Sequence, residues 1–82
     1  MTIAEAQKVG VGEKIYYVDS FGDYWQVEVI PGNHIICVGI RDKHVGIEYL
    51  NQSPGGFQRT LENAKLTART NGAAYESAMW GW

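Results

Sequence analysis

Few side chains in this sequence can do chemistry. They are His34, Cys37 and His44, with the charged run Arg41-Asp42-Lys43 between them. A Cys–His pair is the core of a thiolate nucleophile, but the thiol needs an electropositive or strained setting to ionise. Cys37 lies instead in the apolar run Ile35-Ile36-Cys37-Val38, where a small packing side chain is expected. His34 and His44 match none of the paired ligand spacings that hold zinc. Gly55-Gly56 is followed by Phe57-Gln58 and not by the Lys-Ser or Lys-Thr pair of a phosphate loop. The reading is therefore of a protein that is not an enzyme, with no catalytic residue, no metal and no cofactor.

The remaining candidates are binding residues. Arg41, Lys43 and His44 gather where a hairpin tip is expected, either as a solvated turn or as a small positive knob for phosphate or an acidic protein. Such a knob is too small to hold nucleic acid alone, because each phosphate contact adds only a salt-sensitive increment. Phe21 stands at the tip of an earlier turn, with Tyr24 just beyond it; Phe21 either folds back over the core, the commoner outcome, or serves as a contact. Met79-Trp80-Gly81-Trp82 places two tryptophans where chain ends are usually polar and frayed. Tryptophan is enriched at binding hot spots, so Trp80 and Trp82 join the candidate partner-binding residues.

Composition bounds the partners. With 82 residues the chain is read as one domain, burying roughly 60% of its unfolded surface. Its 45% hydrophobic and 20% charged content describes a globular protein rather than a disordered one. A net charge of −2 argues against a general nucleic-acid binder, which usually carries a basic face. One cysteine excludes an internal disulfide framework and suits a reducing compartment, so a cytoplasmic protein is expected. No apolar run approaches the length of a membrane span.

These residues must be positioned by the stretch from Gly12 to Leu50, which reads as four short strands. Glu13 to Val18 alternates Ile15 and Tyr17 with Tyr16 and Val18, apolar or aromatic on both faces, so cover on two sides is expected. Asp19-Ser20-Phe21-Gly22-Asp23 is turn-rich. In Tyr24 to Val29, Trp25, Val27 and Val29 point inward while Tyr24, Gln26 and Glu28 face water. Pro31-Gly32 suits a type II turn. His34 to Ile40 and Val45 to Leu50 then read as an antiparallel pair closed at Asp42-Lys43. Parity pairs Ile40 with Val45, Val38 with Ile47 and Ile36 with Tyr49, which sets Gly39 opposite Gly46 on the outer face. Facing glycines mark either a kink or a shelf on which something packs closely. Trp80 is expected to cover them, since bare sheet glycine is stabilised by a neighbouring aromatic.

Helices flank this sheet. Thr2 caps a short helix ending near Lys8, with Glu5 completing the capping pair. After the connector Gln52 to Gly56, Thr60 caps a helix with Leu61, Ala64 and Ala68 inward and Glu62 and Lys65 outward. Asn71-Gly72 is either an end to that helix or a hairpin turn, and Ala73 to Trp80 reads as a second short helix.

Residues 11–50 resemble SH3-like small barrels of the Tudor and KOW kind. The resemblance rests on Val11-Gly12-Glu13-Lys14-Ile15-Tyr16, then Asp19, Gly22, Tyr24-Trp25 and Val27-Glu28-Val29. A Tudor-like module implies a cage of rings for a methylated cation, here Tyr17, Phe21, Tyr24 and Trp25, although Ile40-Arg41-Asp42-Lys43 supplies no ring for a far wall. A KOW-like module implies RNA or a polymerase as partner. The expected fold is α+β, a four-stranded antiparallel sheet or partly open barrel with a short N-terminal helix and a C-terminal helical segment. The expected function is a non-catalytic protein-interaction module docking on a larger protein or complex, such as a small inhibitor or adaptor of the sort mobile elements encode. The alternative is a nucleic-acid or nucleoprotein barrel. Neither reading sets an oligomeric state.

Overall fold

The structure is a computed structural model that describes every residue except Ile36, residues 39–42 and residues 81–82, and of Cys37 and Val38 only the backbone. The fold is α+β. Helix α1 (Ile3–Ala6) leads to β1 (Lys14–Val18), β2 (Tyr24–Ile30), β3 (Cys37–Val38) and β4 (Lys43–Gly46). Then follow α2 (Ile47–Gln52), a 3-10 turn at Pro54–Gly56, β5 (Phe57–Gln58) and the long α3 (Leu61–Trp80). The strands form one open sheet of order β3-β4-β2-β1-β5.

Helix α1 starts as its sequence dictates. Thr2 Oγ1 accepts from the Glu5 N–H at 3.2 Å while Glu5 Oε1 accepts from the Thr2 N–H at 3.0 Å. The Met1 ammonium donates to the Pro54 and Phe57 carbonyls, tying the helix to the connector before β5.

Strand β1 is covered on both sides, as its double apolar pattern requires. On one face Ile15 packs with Val27, Val29, Val45, Leu50, Phe57, Ala6 and Val9, with Tyr17 and Ile47 at the margin. Short α1 and α2 lie against this main core. On the other face Val18 meets Ala64 and Ala68 of α3, with Tyr16 alongside. The result is a three-layer arrangement in which each helical layer buries one face of the sheet.

The sheet is mixed and not wholly antiparallel. β1 and β2 pair antiparallel, with Ile15 opposite Val27 and Tyr17 opposite Trp25. β4, however, runs parallel to β2, with Val29 beside Val45 and Ile30 beside Gly46. Parallel neighbours need a crossover of about a dozen residues, and residues 31–42 supply it. Within that crossover β3 pairs with the outer edge of β4, Cys37 opposite His44 and Val38 opposite Lys43.

This register overturns the pairing of Val38 with Ile47; the expected facing of Gly39 and Gly46 falls on Gly39, which lies outside the described residues. Gly46 instead sits beneath the chain's own crossover. A Cβ on Gly46 would collide with the Gly32 carbonyl oxygen and the His34 backbone nitrogen. The same contact is fastened by the Gly46 N–H to the His34 carbonyl and the Glu48 N–H to the Gly32 carbonyl, at 2.9 and 3.0 Å. Gly46 is thus the shelf, and the Pro31–His34 segment is what packs on it.

The expected strand Val45–Leu50 also breaks at Gly46, and Ile47 to Gln52 is helical. An apolar run this short satisfies a strand or a helical turn equally. The helix wins because it buries Leu50 completely in the main core. The Asn51 amide reinforces it by donating to the Ile47 carbonyl at 3.0 Å.

Candidate functional site

The turn between β1 and β2 is built by one carboxylate and one glycine. Asp19 Oδ1 accepts from the backbone N–H groups of Phe21 and Asp23, both at 2.9 Å. The Asp19 N–H closes the turn on the Asp23 carbonyl at 2.9 Å. Gly22 has φ +102°, a conformation L side chains rarely adopt. A Cβ there would also fall 2.7 Å from the Gly72 Cα, so the turn and α3 meet backbone to backbone. Beside that contact the Asn71 side chain donates to the Asp19 carbonyl at 2.9 Å.

Asn71-Gly72 therefore neither ends the helix nor turns a hairpin. It is the seat on which the β1–β2 turn rests, and α3 runs unbroken from Leu61 to Trp80. Thr60 Oγ1 accepts from the Asn63 N–H at 3.2 Å at its start. Ala64 and Ala68 are buried as expected, whereas Leu61 is exposed and not part of the inner stripe. Seated this way, the helix carries Tyr75 under Phe21, whose ring meets it edge-on at 5.0 Å and 84°. Phe21 stays 60% exposed, so it is not a lid on the core.

Beyond Gly72 the helix overhangs the sheet. Every residue from Ala73 to Trp80 is exposed. Glu76 is the sole charge among them. Met79 is 59% and Trp80 70% exposed, so Trp80 does not cover a sheet glycine. Between the overhang, the turn and the connector opens a cleft of about 440 Å³, bordered by Val18, Ser20, Gly55, Gly56, Thr67 and Tyr75. Of its polar groups, the Thr67 hydroxyl accepts from Gln58 Nε2 at 3.2 Å, and the Asn71 amide, which also borders the cleft, holds the turn. A hydroxyl becomes a nucleophile only beside a base. None of the residues bordering the cleft is a histidine or carboxylate. The arrangement is suited to covering apolar surface.

The sequence-derived candidates divide into two groups. Phe21 and Trp80 lie on the turn and α3, and Tyr24, at the start of β2, is partly exposed. Lys43 and His44 lie on β4, between β3 and β2, while α3 packs on β1, β2 and β5. The His44 ring stands perpendicular to that of His34, centroids 6.4 Å apart. Among the described residues no three His, Cys, Asp or Glu side chains converge as a metal site would require. Arg41 and Trp82 lie outside the described residues. The rings of the expected cage are likewise in two places. Tyr17 stacks on Trp25 at 5.9 Å with planes 18° apart, whereas Phe21 meets Tyr75.

Sequence reasoning missed Asn71, Gly72, Tyr75 and Met79. The signal was present: Ala64, Ala68, Tyr75 and Met79 keep one helical stripe straight through Asn71-Gly72. No protein-family model matches the chain, and no curated protein or solved structure is significantly similar to it. Among the described residues no helix is long and apolar enough to cross a membrane.

Proposed function

We propose that the chain is a non-catalytic protein-interaction module, a small cytoplasmic inhibitor or adaptor that docks on a larger protein or complex. The observation that carries this reading is the overhang of α3. Eight exposed residues, 73–80, carry a single charge, and the side that holds Tyr75 and Met79 is extended from the turn by Phe21. Exposed aromatic and methionine side chains of this kind match the composition of interface cores. A partner with an apolar groove is the natural counterpart, since a helix enters such a groove by its apolar face.

Capture from cell lysate tests the reading, with the native chain compared to Tyr75→Ser and Met79→Glu variants. Capture that survives nuclease and moderate salt, and is lost in both variants, is expected. Binding that disappears with nuclease, or collapses between low and physiological salt, contradicts it and favours nucleic acid at Arg41 and Lys43.

A further inference from the structure

The side of α3 turned away from the sheet is a second surface, independent of the Phe21–Tyr75–Met79 contact. It carries Leu66, Arg69, Ala73, Glu76 and Trp80, all exposed. Leu66 is 57% exposed, so two large apolar side chains stand at the ends of this stripe. Between them lie two opposite charges, and neither has an ion-pair partner among the described residues, where Arg59 with Glu13 is the pair formed.

The spacing is self-complementary about Ala73. Leu66 precedes it by seven residues (73 − 66) and Trp80 follows by seven (80 − 73). Arg69 precedes it by four and Glu76 follows by three. Two copies of the helix laid antiparallel with Ala73 at the crossing thus bring Leu66 level with the partner's Trp80, about 10 Å from the centre at a rise of 1.5 Å per residue. Arg69 falls within one residue's rise of the partner's Glu76. Both lie on the same flank of the stripe, and a two-fold axis repeats the contact. A parallel pairing would set Arg69 against the partner's Arg69 and Glu76 against the partner's Glu76. Ala73 at the crossing lets the two backbones approach.

We infer that the occupant of this face is a second copy of the chain, forming an antiparallel two-fold α3–α3 dimer. The contact is one helix pair and falls at the small end of specific interfaces, below about 1,200 Å², so the dimer is weak and reversible. It leaves the sheet-facing edge of the overhang, with Phe21 and Tyr75, free for another partner.

Sedimentation equilibrium across a range of concentrations tests this, first on the native chain and then on R69E and E76R. The native chain is expected to dimerise reversibly. Each variant sets like charges together twice in the homodimer and should weaken association by about tenfold. An equimolar mixture of the two variants should recover native association, because the mixed pair again opposes Arg and Glu at both contacts. Circular dichroism melts verify that each variant is folded. Partner capture in R69E stays as in the native chain, which separates this proposal from the previous one. A native chain that is monomeric at every concentration overturns the dimer. So does a mixture that associates no better than either variant alone.

Discussion

Gly22 is the residue on which the placement of the candidate site turns. Its positive φ disfavours any side chain, and a Cβ on it would fall 2.7 Å from the Gly72 Cα. Replacing it with alanine strains the turn and pushes it off α3, and a loss of about 2–4 kcal/mol is expected. In a domain of this size that lowers the melting temperature by roughly 10 °C or more. Gly10→Ala is the control, because a Cβ there meets nothing within 4 Å and its φ is not positive; its melt should match the native one. Equal melts for both variants contradict the turn–helix seat. Glu5 gives a second residue-scale test. The Thr2 N–H, then the Thr2 hydroxyl, hold its carboxyl below the ordinary range. A depressed folded-state pKa means the contribution is complete above the unfolded value, about 4.3, and is lost as pH falls through the folded one. The native chain should therefore lose stability relative to E5Q only in acid below about pH 4.3. Stability curves that stay parallel through that range would show that the cap does not titrate.

At the scale of elements, the parts set by local chemistry were legible and the parts set by distant contacts were not. The capping pair of Thr2 and Glu5, the two-sided burial of β1, the inward set of Val27 and Val29, and the helix start at Thr60 all follow from neighbours in sequence. Val45 to Leu50 was not legible, because so short an alternation fits either period; burial of Leu50 in the main core decides it. Nor was the parallel placement of β4 beside β2. The chain does bend at Pro31-Gly32, with Gly32 at φ +96°. Whether the chain then doubles back or crosses over depends on Gly46, which accepts the crossover across its bare backbone. Asn71-Gly72 misled for the same reason. Glycine in a helix interior costs up to about 1 kcal/mol and ordinarily signals an end. Here the Asn71 bond to Asp19 and the approach of Gly22 offset that cost. Of the candidate site, Phe21 and Trp80 were legible as candidates, but the sequence favoured Phe21 folding back and Trp80 packing on the sheet; both are exposed, and the contact of Phe21 with Tyr75 required α3 to be continuous.

For the whole molecule, the core and the proposed docking surface occupy different parts of the chain. The core lies between β1, β2, β4, α1 and α2, with a smaller cluster under the first turns of α3. The overhang adds little to either and presents its apolar side chains to solvent. A chain ending at Ala78 tests this division directly, with the melt and the partner capture measured on the same preparation. The account predicts a stability change within about 0.5 kcal/mol, a shift of only a few degrees, together with loss of capture. A melting temperature lowered by roughly 10 °C or more would place Met79 and Trp80 in the core, and undiminished capture by the shortened chain would contradict the docking surface itself.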